Sequence, residues 1–377
     1  VAVLGHSRGG EAAPIVGSFN GLQHFPDDAS FEFDYGFGIR TLVAIAPVDQ
    51  RYHRRVHVQD VSFLTIQGSY DSDEPAFHGL RQMRRNHFTE DGDWFEAGVY
   101  VHRANHGQFN TTWGRRDSGP PNSWLLNLEP ILPPEDQRLV AKIYISAFLE
   151  ATLSDNVDYL PLFRDPRFGA EWLPPVTLIG QYDDSSFQPI AAFDEDLDVT
   201  TATLPGGTIR AEHFTRWRED DVRLRDNLRQ GTHAVVLGWD REDGMVPTYS
   251  VPLPDEFSLH GSTASILSFT LSPSTESPRP DTDATQDEEA DGDTDSTGDG
   301  DDDGSTEPLD FSLELVDRQG ERAKLSLQTI VTPTPPLKVR FLKDEELNQE
   351  RYRQTWEPTP QYVEMALDRF AGENPSF

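Results

Sequence analysis

Three residue types that together make an activated nucleophile stand at the ends of apolar runs in this chain. Ser7 lies in Gly5-His6-Ser7-Arg8-Gly9-Gly10, directly after the apolar Val1–Leu4. Asp71 and Asp73 lie in Gly68-Ser69-Tyr70-Asp71-Ser72-Asp73, after the apolar run Val61–Gln67. His106 lies in Asn105-His106-Gly107, after Ala97–Arg103. A serine hydroxyl is a weak nucleophile until a base takes its proton, and an imidazole base needs a carboxylate to fix its tautomer. A Gly-x-Ser-x-Gly turn between a strand and a helix is so tight that glycine is favoured at both flanking positions, Gly5 and Gly9, and it exposes the hydroxyl above the sheet. The Arg8 N–H, at the start of the helix, is expected to point where an oxyanion would develop. Asp71 is the expected acid and Asp73 the reserve, since Asp73 is also placed to cap a helix opening at Glu74-Pro75. His53, His57, His78, His87 and His102 fall in loops, in a helix or inside a strand, and read as ordinary surface or packing residues.

The elements that must carry these groups are legible as continuous apolar runs. Thr41–Ala46, Val61–Gln67 and Ala97–Arg103 read as strands buried on both faces. Pro75–Phe88 reads as helical. Glu135–Leu153 reads as an amphipathic helix, with Leu139, Ile143 and Ala147 beside Val140, Tyr144 and Phe148. The helix after Ser7 is expected to end or kink early at Pro14. Strands alternating with helices predict a parallel α/β sheet over 1–153. Residues 154–175, rich in Pro, Asp and aromatics, read as a linker. From Val176 the apolar runs are short, among them Val176–Ile179, Val199–Leu204, His233–Leu237, Ala264–Leu271, Asp310–Val316, Ala323–Leu327 and Tyr362–Leu367. Many short strands separated by turn residues predict an all-β sandwich over 176–377. A tract at about 273–308, nearly all Asp, Glu, Ser, Thr, Gly and Pro, is expected to be a disordered insertion in that module.

The formal net charge is -33, with 65 Asp and Glu against 32 Lys and Arg. Such a balance argues against a nucleic-acid partner. The lysines are only Lys142, Lys324, Lys338 and Lys343, and an acidic, lysine-poor chain reads as halophile-like, though the acidic tract supplies part of the excess. With no cysteine, disulfides and thiolate metal sites are excluded. No apolar run approaches a membrane span. The chain opens inside a strand, so upstream strands and any targeting segment are expected to have been lost; an extracellular or cell-envelope location is favoured over a cytoplasmic one. The tract Asp291–Gly304 has oxygen ligands at alternate positions that calcium could use, but it lacks the distal Glu of an EF-hand and reads better as a solvated linker, so no cofactor is expected. The cluster Arg51-Tyr52-His53-Arg54-Arg55 reads as surface ion pairs, with a substrate carboxylate as the alternative.

Gly5-His6-Ser7-Arg8-Gly9-Gly10, Gly68-x-x-Asp71 and Asn105-His106-Gly107 together resemble the α/β-hydrolase superfamily, in particular its chlorophyllase-like and cutinase-like (polyester-hydrolase) esterases. The resemblance covers about Val1–Leu153 and matches the second half of such a domain. It implies the chain order Ser, acid, His, and a Ser7–His106–Asp71 triad cleaving carboxylic esters, small or polymeric, through an acyl-enzyme. It also implies a second oxyanion donor from upstream residues, without which this chain alone is expected to be inactive. The later residues resemble, more weakly, jelly-roll, galactose-binding-like modules, whose Trp217, Trp239 and Trp356 either pack internally or stack on sugar rings. The alternatives are a peptidase or amidase with the same triad, and a non-catalytic protein that binds carbohydrate or polymer through its β-sandwich.

Overall fold

The computed structural model describes residues 1–373 apart from 90–91, 241–243, 256, 258–264, 275, 279–308 and 353. Strand β1 (Ala2–His6) runs into helix α1 (Arg8–Phe19), followed by the hairpin β2 (His24–Phe25) and β3 (Asp28–Glu32). Then come β4 (Thr41–Ile45), β5 (Val58–Gln59), β6 (Ser62–Gly68), α2 (His78–Met83), β7 (Asn86–His87) and β8 (Phe95–Val101). Helices α3 (Pro134–Leu153) and α4 (Leu160–Arg164) lead to β9 (Leu178–Asp184). The remainder comprises β10 (Arg210–Glu212), β11 (Arg216–Arg223), β12 (Arg229–Gly238), β13 (Thr248–Ser250), β14 (Ile266–Leu271), β15 (Ser312–Val316), β16 (Arg322–Ser326), α5 (Glu345–Arg351), β17 (Gln361–Ala366) and α6 (Asp368–Glu373).

A five-stranded sheet in the order β1-β4-β6-β8-β9 is the frame of the molecule. Its first four strands are parallel and β9 is antiparallel to β8. Side chains alternate across the pleat. Val43, Leu64, Ile66, Ala97 and Val99 therefore pack with Val140, Tyr144 and Phe148 of α3 and Phe163 of α4. Leu42, Ala44 and Phe63 face the other way, onto Phe77 and α2 residues Leu80 and Met83. On α3 the buried face is Val140, Tyr144, Ala147 and Phe148, whereas Leu139 is exposed, so the apolar stripe is narrower than its sequence suggests.

Several expectations are modified. The helix after Ser7 runs on through Pro14 to Phe19. Proline removes the N–H that would bond the Gly10 carbonyl, but Pro14 is buried beside Gly10, Glu11 and Ala13, and this packing carries the helix past the lost bond. The Pro75–Phe88 stretch is helical only over His78–Met83, because Asn86-His87 instead pairs with Val58-Gln59. Leu178–Asp184, expected to belong to the β-rich module, is the fifth strand of the main sheet. The run Val199–Leu204, expected as a strand, makes only an isolated bridge between Thr201 and Thr208. The later ladders are two-stranded antiparallel pairs, β10-β13, β11-β12, β14-β17 and β15-β16. The last two share one apolar cluster that includes Leu267, Phe269, Leu313, Leu325 and Val363. The acidic tract, apart from 273–274 and 276–278, lies outside the described residues, and so does the whole calcium candidate Asp291–Gly304.

The turn at Ser7 depends on two glycines, and they are not the two flanking positions the motif suggests. A Cβ on Gly5 would lie 1.7 Å from the Gly9 carbonyl oxygen, and one on Gly10 would lie 2.7 Å from Pro47 Cβ. A Cβ on Gly9 would meet nothing within 4 Å. Gly5→Ala is therefore expected to destabilise the protein by about 3 kcal/mol, since backbone must move to admit the methyl. Gly9→Ala is expected to be neutral or to stabilise by up to about 1 kcal/mol, through helix propensity alone. Urea or thermal unfolding of the two variants measures both; equal losses would show that the turn is not limited by Gly5.

Candidate functional site

Parallel pairing brings the C-terminal ends of β1, β4, β6 and β8 to one edge of the sheet, the edge at which open α/β sheets bind ligands. Ser7 follows β1, Asp71 follows β6 and His106 follows β8. Ser7 sits at φ 60°, ψ -122°. Such a conformation costs a non-glycine residue of order 1–3 kcal/mol and must be held by its surroundings. The Ser7 N–H donates to Ile45 O at 2.9 Å, and the Ser7 carbonyl accepts from Gly10 N at 2.8 Å. Arg8 is the first residue of α1, so its N–H has no partner within the helix and is free to meet an anion.

Asp71 and His106 meet as the residue types require. His106 Nδ1 donates to Asp71 Oδ2 at 2.7 Å, and both side chains are almost wholly buried. Asp71 also accepts from the backbone N–H groups of Asp73 and Glu74 at 3.1 and 2.7 Å, and from Gln67 Nε2 at 3.1 Å. Asp73 lies at the other side of the ring: its half-exposed carboxylate is 3.5 Å from His106 Nε2. The two acids thus take different places, one on each ring nitrogen. Among the described residues Ser7 Oγ makes no hydrogen bond to His106, and His106 Nε2 has no hydrogen-bond partner. The ring of His6, the residue before Ser7, lies 4.9 Å from the His106 ring.

Burial by itself disfavours a charged His106, but Asp71, through its charge and hydrogen bond, outweighs it, with Asp73 and Asp117 adding to the effect. The outcome is a pKa raised to about 9. His6 goes the other way, to about 4, pushed down by burial and by the nearby His106. One ring of the pair is thus kept neutral while the other carries charge. Trp113 stacks on His106, 5.7 Å away with planes 5° apart, and meets His6 at 4.7 Å with its plane tilted by 35°.

Sequence patterns hold no hint of Asp117, which organises the histidine loop. It accepts from Asn105 Nδ2 at 2.6 Å and from the N–H groups of His106, Gly107 and Ser72 at 3.2, 3.0 and 3.1 Å. Burial, with the charge of Asp71 adding, raises its pKa to about 6. It sits in an irregular Gly114–Gly119 loop with no periodicity, so only its distance downstream of His106 could have drawn attention. Gln137 of α3 holds the same loop, donating to Asn105 O at 2.7 Å and accepting from Asn105 N at 3.1 Å.

His78 is not the ordinary packing residue its position suggests. It is buried between Glu74 and Asp226, at 3.2 and 2.7 Å. These two carboxylates overcome burial and raise its pKa to about 9. In the 51–55 cluster, Arg54, His53 and Tyr52 all reach Asp27, and the N–H groups of Arg51 and Tyr52 donate to Glu11. With Asp49 and Arg85, the cluster residues Tyr52, His53, Arg54 and Arg55 line a cavity of about 260 Å³. Trp217, Trp239 and Trp356 are half-buried. Among the described residues no group of three or more His, Asp or Glu is placed to hold a metal ion, and no helix is long and apolar enough to cross a membrane.

A raised histidine pKa stabilises the folded state fully below the ordinary value near 6.5, and that stabilisation is lost as pH rises through about 9. His106 and His78 share this window. In an NMR titration the His106 ring is expected to titrate near 9, and in Asp71→Asn it should fall by more than about one unit. An unchanged His106 titration in that variant would mean the pair is not formed. The sequence matches no protein-family model, and comparison with curated proteins finds no match.

Proposed function

We propose that this chain is a serine hydrolase that cleaves carboxylic esters through an acyl-enzyme, with Ser7 as nucleophile, His106 as general base and Asp71 as the acid that orients it. The observation that carries the proposal is the buried 2.7 Å Asp71–His106 pair at the same sheet edge as a serine held at φ 60° between a strand and a helix. The order of the turns after β1, β6 and β8 supports the likeness to the second half of an α/β-hydrolase sheet; the antiparallel β9 departs from it.

In this reading His106 Nε2 removes the Ser7 proton as Oγ attacks the ester carbonyl, and the Arg8 N–H stabilises the oxyanion. Collapse of the tetrahedral intermediate expels the alcohol, protonated by His106, and leaves an acyl group on Ser7. Water, activated by the same imidazole, releases the acid. Asp71 keeps Nδ1 protonated throughout and stabilises the imidazolium. Asp73 has a different role. In the free protein it faces Nε2, the nitrogen that must be bare to accept the serine proton, so it adds to the hold of Asp71 on the charged form of the base.

The experiment is turnover of a p-nitrophenyl ester in high salt by the full-length gene product and by its Ser7→Ala variant, beside the matching p-nitroanilide. Ser7→Ala is expected to lose roughly 10⁴-fold or more in kcat, and the anilide to be the poorer substrate. Equal ester rates for the two proteins would end the proposal. The base must be neutral, so kcat/KM should rise with pH up to about 9. A unit charge at about 4 Å in water is worth about 1 kcal/mol, so Asp73→Asn should move that limb down by roughly half a pH unit to one unit. A limb that stays in place would remove Asp73 from the base's surroundings.

A further inference from the structure

The loop that carries Asp71 is gripped from behind by residues distant in the chain. Strands β11 and β12 are joined by the turn Leu224–Leu228. Leu224 is fully buried in the apolar cluster of Phe77, Leu80 and Tyr100. The next residue, Arg225, is 6% exposed. Its Nη1 donates to Ser69 O at 3.2 Å and to Pro75 O at 3.0 Å, the two ends of the acid loop. Its Nη2 donates to Tyr100 OH at 2.7 Å, on the strand that leads to His106. Its N–H donates to Glu357 Oε1 at 3.1 Å, and the other Glu357 oxygen accepts from Phe77 N at 3.3 Å. The guanidinium lies over the Phe341 ring at 5.0 Å, and Phe341 packs on Tyr70, the residue before Asp71. Asp226 then takes His78, whose other nitrogen meets Glu74, the residue whose N–H donates to Asp71.

We infer that Arg225, with its partner Glu357, is a positioning device for the catalytic acid: it sets the place of Asp71, and through it the aim of His106, without touching substrate. The inference rests on the hydrolase reading for its kinetic consequence but not for its geometry. A guanidinium is a rigid planar fork, so one side chain fixes both ends of the Ser69–Pro75 loop relative to the neighbouring strand. An apolar contact of the same area would resist separation but would permit sliding. Displacement of a catalytic group by about 1 Å can cost about 10²-fold in rate.

A double variant, Arg225→Met with Glu357→Gln, removes both buried charges while keeping volume, which avoids stranding one charge alone. Arg225→Lys keeps the charge but loses the fork, and serves if the double variant fails to fold. Folding is monitored by thermal unfolding and near-UV circular dichroism. For a folded variant, kcat on a p-nitrophenyl ester is expected to drop about 10²-fold with KM within about twofold, with Arg225→Lys lying between it and wild type. The second readout needs no turnover: the low-field NMR resonance of the His106 Nδ1 proton should shift or vanish in the double variant. If Ser7→Ala shows that the protein is not an esterase, a displaced resonance still supports the positioning role. A folded Arg225→Lys protein with wild-type kcat and an unmoved His106 resonance would overturn it.

Discussion

Placing a carboxylate and an imidazole together out of water is the constraint on which the rest of this structure depends. Asp71 is wholly buried and His106 nearly so. A buried charge is tolerated only when it is paired and its remaining lone pairs are filled. Asp71 meets that demand with the His106 ring, two backbone N–H groups and Gln67. The two N–H donors exist only because the chain after β6 folds tightly back around the carboxylate. The shape of the acid loop is therefore a consequence of burying the acid.

The same demand spreads outwards. The histidine loop brings its own backbone N–H groups, and a second, half-buried carboxylate, Asp117, satisfies them. Asp71 first, then Asp73 and Asp117, favour the charged form of the imidazole, which is why its pKa is raised to about 9, and burial of Asp117 beside Asp71 pushes its own pKa up to about 6. His6, against the charged ring, is held neutral by burial. Charge in this cluster is thus rationed by geometry: each group's state follows from what already occupies the space beside it.

What the sequence disclosed follows the range over which its signals act. Strands β4, β6 and β8 are apolar on both faces, so their runs were legible, and so were Ser7, Asp71 and His106, which stand just past strand ends. Strand β11, Arg-Trp-Arg-Glu-Asp-Asp-Val-Arg, was invisible because its own residues are nearly all charged and show no apolar alternation, although opposite it on β12 stand Leu237, Val236, Val235 and Ala234. It is held by cross-strand pairs such as Asp221 with His233. The supports Asp117, Arg225 and Glu357 were equally hidden. Each is an ordinary charged residue in a loop, and its meaning comes from partners between 10 and 280 residues away. Asp71 was preferred to Asp73 in the sequence because Asp73 could cap a helix; the two are separated in the fold by the side of the imidazole each reaches, a distinction that spacing does not encode. The expectation that glycine is needed at 5 and 9 misplaced one position for a similar reason. Crowding at Gly10 comes from Pro47, on the next strand's loop.

The buried Arg225–Glu357 pair also bears on how the residues after β9 relate to the sheet. An appended binding module needs no more than a surface contact with its neighbour. Here a hairpin turn places Leu224 in the sheet's own apolar cluster and Arg225 across the acid loop. A buried ion pair is a poor source of stability, since desolvation consumes most of its attraction, and apolar residues of equal volume often serve as well or better. Burial also raises the Glu357 pKa to about 7, although Arg225 opposes the rise. Stability alone thus gives little reason to place this pair beneath the acid loop. Direction does: the arginine fork meets two carbonyls and a phenol at fixed angles, and those acceptors belong to the loop of Asp71 and the strand of His106.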